Sequence, residues 1–181
     1  MESEIINALK VLQNGGIILY PTDTIWGLGC DATNKDAIQK IYTIKQREES
    51  KALISLVSSA EMLQKHTNYI PKINISDHPT TVIYQNVKGF ANNLLAEDGT
   101  AAIRIVQDEF CKKLIQALGK AIVSTSANIS GEESPKQFSE ISCHIKNNAD
   151  YIVNLRQTER RENPSVIIKL EEDGTTKKLR Y

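Results

Sequence analysis

Two short apolar runs in this 181-residue chain each lead into an unusually polar loop, and that pairing constrains the fold more than any other feature. Ala121-Ile122-Val123 runs into Ser-Thr-Ser-Ala-Asn-Ile-Ser-Gly at 124–131, and the apolar residues 17–20 run into Pro-Thr-Asp-Thr-Ile-Trp-Gly-Leu-Gly at 21–29. Polar loops at the ends of apolar strands are the means by which an α/β sheet holds a polar small molecule. Side chains two apart on extended backbone share a face. Thr22 and Thr24 are therefore expected to point one way, and so are Ser124, Ser126 and Asn128. The expected role is to bind and position something rich in oxygen.

The remaining pattern supplies the frame. Ile5, Ile6, Leu9 and Leu12 sit at helical spacing and Gly15-Gly16 closes that segment. Asn34 is placed to cap a helix with Ala37, Ile38, Ile41 and Ile44 on its inner face, Ser59 a short helix, and Asp108 a helix that buries Phe110, Cys111, Leu114, Ile115 and Leu118 before Gly119. Strands are expected over 52–57, 80–84, 101–106, 151–153 and 166–170, with Asp173-Gly174 as a hairpin signal before 177–180. Residues 137–146 read as one helix with Ile141 and Ile145 as its apolar pair. Helices and strands alternate early and strands dominate late. The expectation is a single α/β (α+β) domain over 1–181, a twisted mixed sheet flanked by helices.

Charge and cysteine usage narrow the function. The 22 basic and 22 acidic side chains cancel, so no global field favours nucleic acid or an anionic membrane, and anion binding has to come from local clusters. No apolar run approaches the roughly 20 residues of a membrane helix, and the acidic start Met1-Glu2-Ser3-Glu4 is wrong for a signal peptide. A soluble cytoplasmic protein with no membrane partner is expected. Cys30, Cys111 and Cys143 are too few and too far apart for a disulfide framework or a zinc site.

Gly27-Leu28-Gly29-Cys30-Asp31-Ala32 fits G-x-G-x-x-A, but Pro21 to Trp26 separate it from the strand and no acidic residue ends a following strand. These glycines are read as allowing a tight turn rather than as a pyrophosphate loop. There is no P-loop and no G-x-S-x-G, and His66, His78 and His144 lie in no triad setting. A serine without a base is a poor nucleophile, so the hydroxyls of 124–130 are left as ligand contacts or as turn residues and caps. Lys45, Arg47 and Lys51 either complement a helix C-terminus in solvent or, on extended backbone, form one cationic face suited to phosphate or carboxylate.

In order along the chain, these segments resemble the YrdC family, the threonylcarbamoyl-AMP synthases also called TsaC. Pro21-Thr22-Asp23-Thr24-Ile25-Trp26-Gly27-Leu28 is close to the family's P-T-D-T-hydrophobic-Y-G-L. Ile44-Lys45-Gln46-Arg47 with Lys51 is similar to I-K-x-R-x-x-x-K, and His78-Pro79-Thr80-Thr81 to P-G-P-x-T. Ala102-Ile103-Arg104-Ile105 resembles A-x-R-hydrophobic, and 124–131 matches S-T-S-A-N-x-S-G. Pro164-Ser165-Val166 and Leu179-Arg180 resemble the P-S-T strand and the terminal arginine. Departures are Trp26 for tyrosine, Ala52 for a proline, Asp77-His78-Pro79 without the glycine of P-G-P, no proline after Ile105, and Val166 for threonine.

The resemblance implies the short, single-domain form of the family, with a concave basic sheet face. There ATP, L-threonine and bicarbonate or CO2 would become threonylcarbamoyl-AMP and pyrophosphate, and separate tRNA threonylcarbamoyl transferase proteins would use the product. It implies Lys45 and Arg47 as catalytic cations, and Thr22, Thr24 and Arg47 as threonine contacts. Lys45, Lys51, Ser124, Ser126, Asn128, Ser165 and Arg180 would contact the nucleotide. Mg²⁺ would arrive with ATP, with no dedicated protein site. Two other readings stand beside it: an RNA-binding module of the same fold, in direct contact with tRNA, and a carbamoyl-transfer component like the YrdC-type domain of hydrogenase-maturation proteins.

Overall fold

The computed structural model describes residues 1–48, 53–69, 78–171 and 174–180. Lys51, Ala52, Asp77 and Asp173 lie outside the described residues, as does the Arg180 side chain. Along the chain run α1 (Glu2–Gln13), β1 (Ile18–Tyr20), β2 (Gly27–Gly29), α2 (Lys35–Lys45), β3 (Ile54–Val57), α3 (Ala60–Gln64), β4 (Thr80–Tyr84) and β5 (Ala101–Ile105). Then follow α4 (Glu109–Leu118), β6 (Ile122–Ser126), α5 (Cys143–Asn147), β7 (Tyr151–Ile152), β8 (Val166–Leu170) and β9 (Thr176–Arg180). The described strands form one mixed sheet in the order β7-β1-β2-β6-β3-β5-β4-β8-β9. The β1–β7, β3–β5 and β4–β8 pairs are parallel and the others antiparallel.

The helices begin where local chemistry says they should. Asn34 Oδ1 accepts from the backbone N–H of Asp36 and Ala37, Ser59 Oγ from Met62 N, and Asp108 Oδ1 from Cys111 N. Gly119, at φ 72°, ends α4 in the left-handed cap that glycine adopts without penalty. α4 buries Phe110, Cys111, Leu114 and Ile115 and packs on α1 and β3. α1 departs from its pattern: Ala8 and Leu12 are its buried residues, while Ile6 is 52 % exposed. Residues 137–146 do not form one helix. A short 3₁₀ turn at Phe138–Glu140 is followed by Ser142, whose hydroxyl caps the separate α5, and the break lets both Ile141 and Ile145 reach the core.

The larger correction concerns Gly27 and Gly29. They are not turn residues; they form strand β2 between β1 and β6. A Cβ on Gly29 would stand 2.6 Å from Val123 O and 2.7 Å from the Tyr20 ring, and one on Gly27 would stand 3.1 Å from Thr125 O and 3.2 Å from Ser124 Oγ. Glycine is required here by close approach of neighbouring strands, not by backbone conformation.

Strand pairing aligns two rows of side chains across β6, β3, β5 and β4. Ser124, Ile54, Ala102 and Ile83 are register partners, and one residue along lie Val123, Ser55, Ile103 and Val82. Alternation sends the two rows to opposite faces. The second row is buried throughout. The first forms the floor of a cavity. No helix among the described residues is long and apolar enough to cross a membrane.

Candidate functional site

The cavity measures about 310 Å³ and lies over the row Ser124–Ile54–Ala102–Ile83. Thr24, Trp26 and Gly27 come to it from the first polar loop and β2, Ser124 to Ser126 from β6, Arg104 from β5, Arg47 from just past α2, and Pro164 and Ser165 from the entry to β8. The two loops that stood out in the sequence therefore meet. Of its described lining residues, only Arg47 and Arg104 carry charge, and none is a carboxylate or a histidine.

Arg104 is the contact that sequence reasoning did not select. Its side chain is 4 % exposed, and its Nη2 donates to Asp23 Oδ1 at 3.0 Å. Asp23 Oδ2 accepts from Gln107 N at 3.0 Å, and the Asp23 carbonyl accepts from Arg161 Nη1 at 3.4 Å. The Asp23 carboxylate so bridges Arg104 and the backbone of Gln107, while the Asp23 carbonyl takes Arg161 from a third segment. Arg104 Nε is buried and has no acceptor among the described residues, which leaves a donor for a ligand oxygen. An arginine inside the apolar run Ala-Ala-Ile-Arg-Ile was the available signal, since such a charge has to meet a counterion. Arg47 is half-buried, and burial pulls its guanidinium below the ordinary arginine range, with Tyr42 opposing.

Thr22 and Thr24 lie together, as the spacing predicts, with their hydroxyls 3.0 Å apart. They differ in what is left to them. Thr22 Oγ1 donates to Ile25 O at 2.8 Å and accepts from Thr24 N at 3.0 Å, so it closes the loop on itself. Its single proton being used, the Thr24 hydroxyl is the donor between the two. Thr24 then faces the cavity with acceptor lone pairs, suited to an N–H on a ligand, while Thr22 has no capacity left.

Ser124 and Ser126 line the cavity together with Thr125 between them. Asn128 does not follow that phase. Its Nδ2 donates to Ile129 O at 2.9 Å and Glu132 O at 2.8 Å, and the side chain folds the loop instead of entering the cavity. Extended backbone ends at Ser126, so the two-residue period ends there too. Ser165 is 1 % exposed, lines the cavity and shares a 2.8 Å hydrogen bond with Thr81. Lys45 is 1 % exposed and is not among the lining residues: its ammonium lies against the Ser126 and Asn128 carbonyls. Trp26, 2 % exposed, forms a wall and is backed by the Phe138 ring at 5.1 Å.

Fold and cavity define an α/β domain with a cationic, hydroxyl-bearing cavity over its sheet. A family model described as "Telomere recombination", for Sua5, YciO and YrdC, matches residues 10–181, and the chain belongs to that family. It is 33 % identical over 161 residues to a protein of Idiomarina loihiensis named threonylcarbamoyl-AMP synthase, covering 84 % of this chain and 86 % of that one. Among solved structures it resembles P. abyssi Sua5 carrying H234A/Y235A, with a TM-score of 0.83 at 25 % identity over 95 % of this chain and 52 % of that one. A second P. abyssi Sua5 structure, complexed with L-threonine, gives a TM-score of 0.77 at 24 % identity, covering 94 % of this chain and 52 % of that one. The chain thus spans about half the length of Sua5.

Proposed function

We propose that this chain makes L-threonylcarbamoyl-AMP from ATP, L-threonine and bicarbonate or CO2, releasing pyrophosphate. The observation that carries this reading is the charge content of the cavity: two arginines, a hydroxyl-bearing floor, and no carboxylate or histidine among the described lining residues. The name of the I. loihiensis relative and the threonine held by P. abyssi Sua5 support it.

The chemistry asks for what such a cavity offers. The threonine amine and bicarbonate give a carbamate with loss of water. A carbamate oxygen then bonds to the α-phosphorus of ATP while the bond to the pyrophosphate oxygen breaks, and the electron pair leaves with pyrophosphate. The nucleophile belongs to the substrate, so the protein contributes positioning and charge stabilisation. Arg47 and Arg104 hold the two anions, where the planar guanidinium fork suits bidentate contact with carboxylate or phosphate. Thr24 accepts from the threonine nitrogen. Ser124, Ser126 and Ser165 donate to nucleotide and carbamoyl oxygens, and Lys51 and Arg180 take the nucleotide contacts that the family resemblance implies. The described residues contain no group of three or more His, Cys, Asp or Glu side chains that could hold a metal ion, and Mg²⁺ comes bound to the triphosphate, where it would neutralise phosphate charge. The product passes to separate tRNA threonylcarbamoyl transferase proteins.

The test is incubation with ATP, threonine and bicarbonate, followed by mass spectrometry for the mixed anhydride and an assay of pyrophosphate. Both products in equal amounts are expected. Threonine-independent pyrophosphate release, or none, would refute the reading.

A further inference from the structure

Lys45 is the last residue of α2, and three hydrogen bonds tie it to the chain leaving β6. Its Nζ donates to Ser126 O at 2.5 Å and to Asn128 O at 2.6 Å, and its own carbonyl accepts from Ser130 N at 2.8 Å. Asn128 fastens the same loop to Ile129 and Glu132. Immediately after Lys45 the backbone turns through a left-handed Gln46, φ 50°, and Arg47 emerges into the cavity wall. Ser126, whose carbonyl takes the shortest of these bonds, lines the same cavity. A buried ammonium is costly unless its donors are used. Here two of its three are used on backbone, where the segments bearing Arg47 and Ser126 meet.

We propose that Lys45 is a positioning residue: it staples the end of α2 to the chain leaving β6 and so sets the span between Arg47 and Ser126 across the cavity, without touching substrate. Among the described residues, the charged and titratable groups around it are Arg47 beyond α2, Glu132 in the loop after β6, and His144 of α5, whose Nε2 lies 2.9 Å from Ile44 O. Burial first, then the charge of Arg47, lowers Lys45 to about 8, with Glu132 opposing. A neutral amine still has two N–H donors. The staple therefore survives loss of the proton, whereas a lysine that neutralised a phosphate would lose its effect with it.

Two measurements on the full chain test this, and only the second rests on the proposed function. In the first, Lys45→Met, with no ligand present, is compared with wild type by amide hydrogen exchange. Residues 126–132 are expected to exchange at least about tenfold faster while α4 keeps its protection; unchanged exchange at 126–132 overturns the inference. In the second, which needs no variant to fold, Mg-ATP is titrated calorimetrically into wild type at pH ~7.5 and ~9.5. The expected Kd changes by less than about threefold, while a weakening on the order of 20-fold, the loss of protonated Lys45 over that range, would make Lys45 a substrate contact and overturn it. Absence of ATP binding at either pH would refute the function instead, and the exchange comparison would still decide the staple.

Discussion

Replacing Asp23 by asparagine isolates what holds the cavity arginine. The Arg104 and Asp23 side chains are 4 % and 9 % exposed and their closest atoms are 3.0 Å apart. Removing one partner of a buried pair costs about 3–5 kcal/mol, because the other charge is left uncompensated. The asparagine amide would keep an oxygen for Arg104 Nη2, which lowers that cost. Its nitrogen cannot accept from Gln107 N, which restores about 1–3 kcal/mol. The guanidinium borders an open cavity where water can reach it, so about 2–4 kcal/mol is the expected net loss. With a urea slope of about 2 kcal/mol/M, the unfolding midpoint should fall by about 1–2 M. Circular dichroism against urea measures this for Asp23→Asn, Arg104→Met and the double variant. The double variant should be less damaged than the sum of the singles, since it contains no unpaired charge. A midpoint for Asp23→Asn within about 0.2 M of wild type, or strict additivity, would refute the claim that this carboxylate compensates Arg104.

Arg47→Ala should lose activity by a factor of ~100 or more with its circular dichroism intact, and activity within threefold of wild type would remove Arg47 from the reaction. Pyrophosphate release should be lower with serine than with threonine by about 1–3 kcal/mol in kcat/KM, and lower still with valine, as expected of a site that reads the hydroxyl; valine turning over as well as threonine would show that it does not. Gly29→Ala should destabilise by about 1–3 kcal/mol in urea, because its new methyl meets the Val123 carbonyl and the Tyr20 ring; wild-type stability would mean that β2 can shift freely. Lys45 has a stability signature with a definite sign. Its value falls from 10.5 to about 8 on folding, so between those pH values the unfolded chain binds more protons and this group makes stability rise with pH. The unfolding free energy of wild type minus that of Lys45→Met should therefore grow by up to about 3 kcal/mol between pH ~7.5 and ~10.5, and a constant gap would contradict the burial of the charge.

What was legible in the sequence is what local chemistry determines. Asn34, Ser59 and Asp108 cap helices through bonds to residues two or three positions on, so the segment alone contains the information. The apolar runs leading into the two polar loops, at 17–20 and 121–123, were legible as strands for the same reason. β2 was not: a strand of Gly-Leu-Gly has no alternation to read, and its glycines answer to Tyr20, Val123 and Thr125, which only the folded sheet brings near. Arg104 was passed over because its partner lies 81 positions away. Lys45 and Asn128 were expected to contact the nucleotide, but the folded chain turns them toward backbone carbonyls, and no spacing rule reports a loop that curls back on itself.

The row Ser124–Ile54–Ala102–Ile83 makes binding a test of registration. Each of its members comes from a different strand, and a slip of one residue in any of them exchanges a cavity side chain for one of Val123, Ser55, Ile103 or Val82. A misaligned β6 would replace a hydroxyl in the cavity with valine and press that hydroxyl into the apolar side. Among compact forms of this chain, those that bind ligand are then those whose central strands are aligned. A saturating ligand adds its binding free energy to that alignment alone, about 2.7 kcal/mol at a hundred times Kd, and so acts as a proofreader of the sheet that holds it.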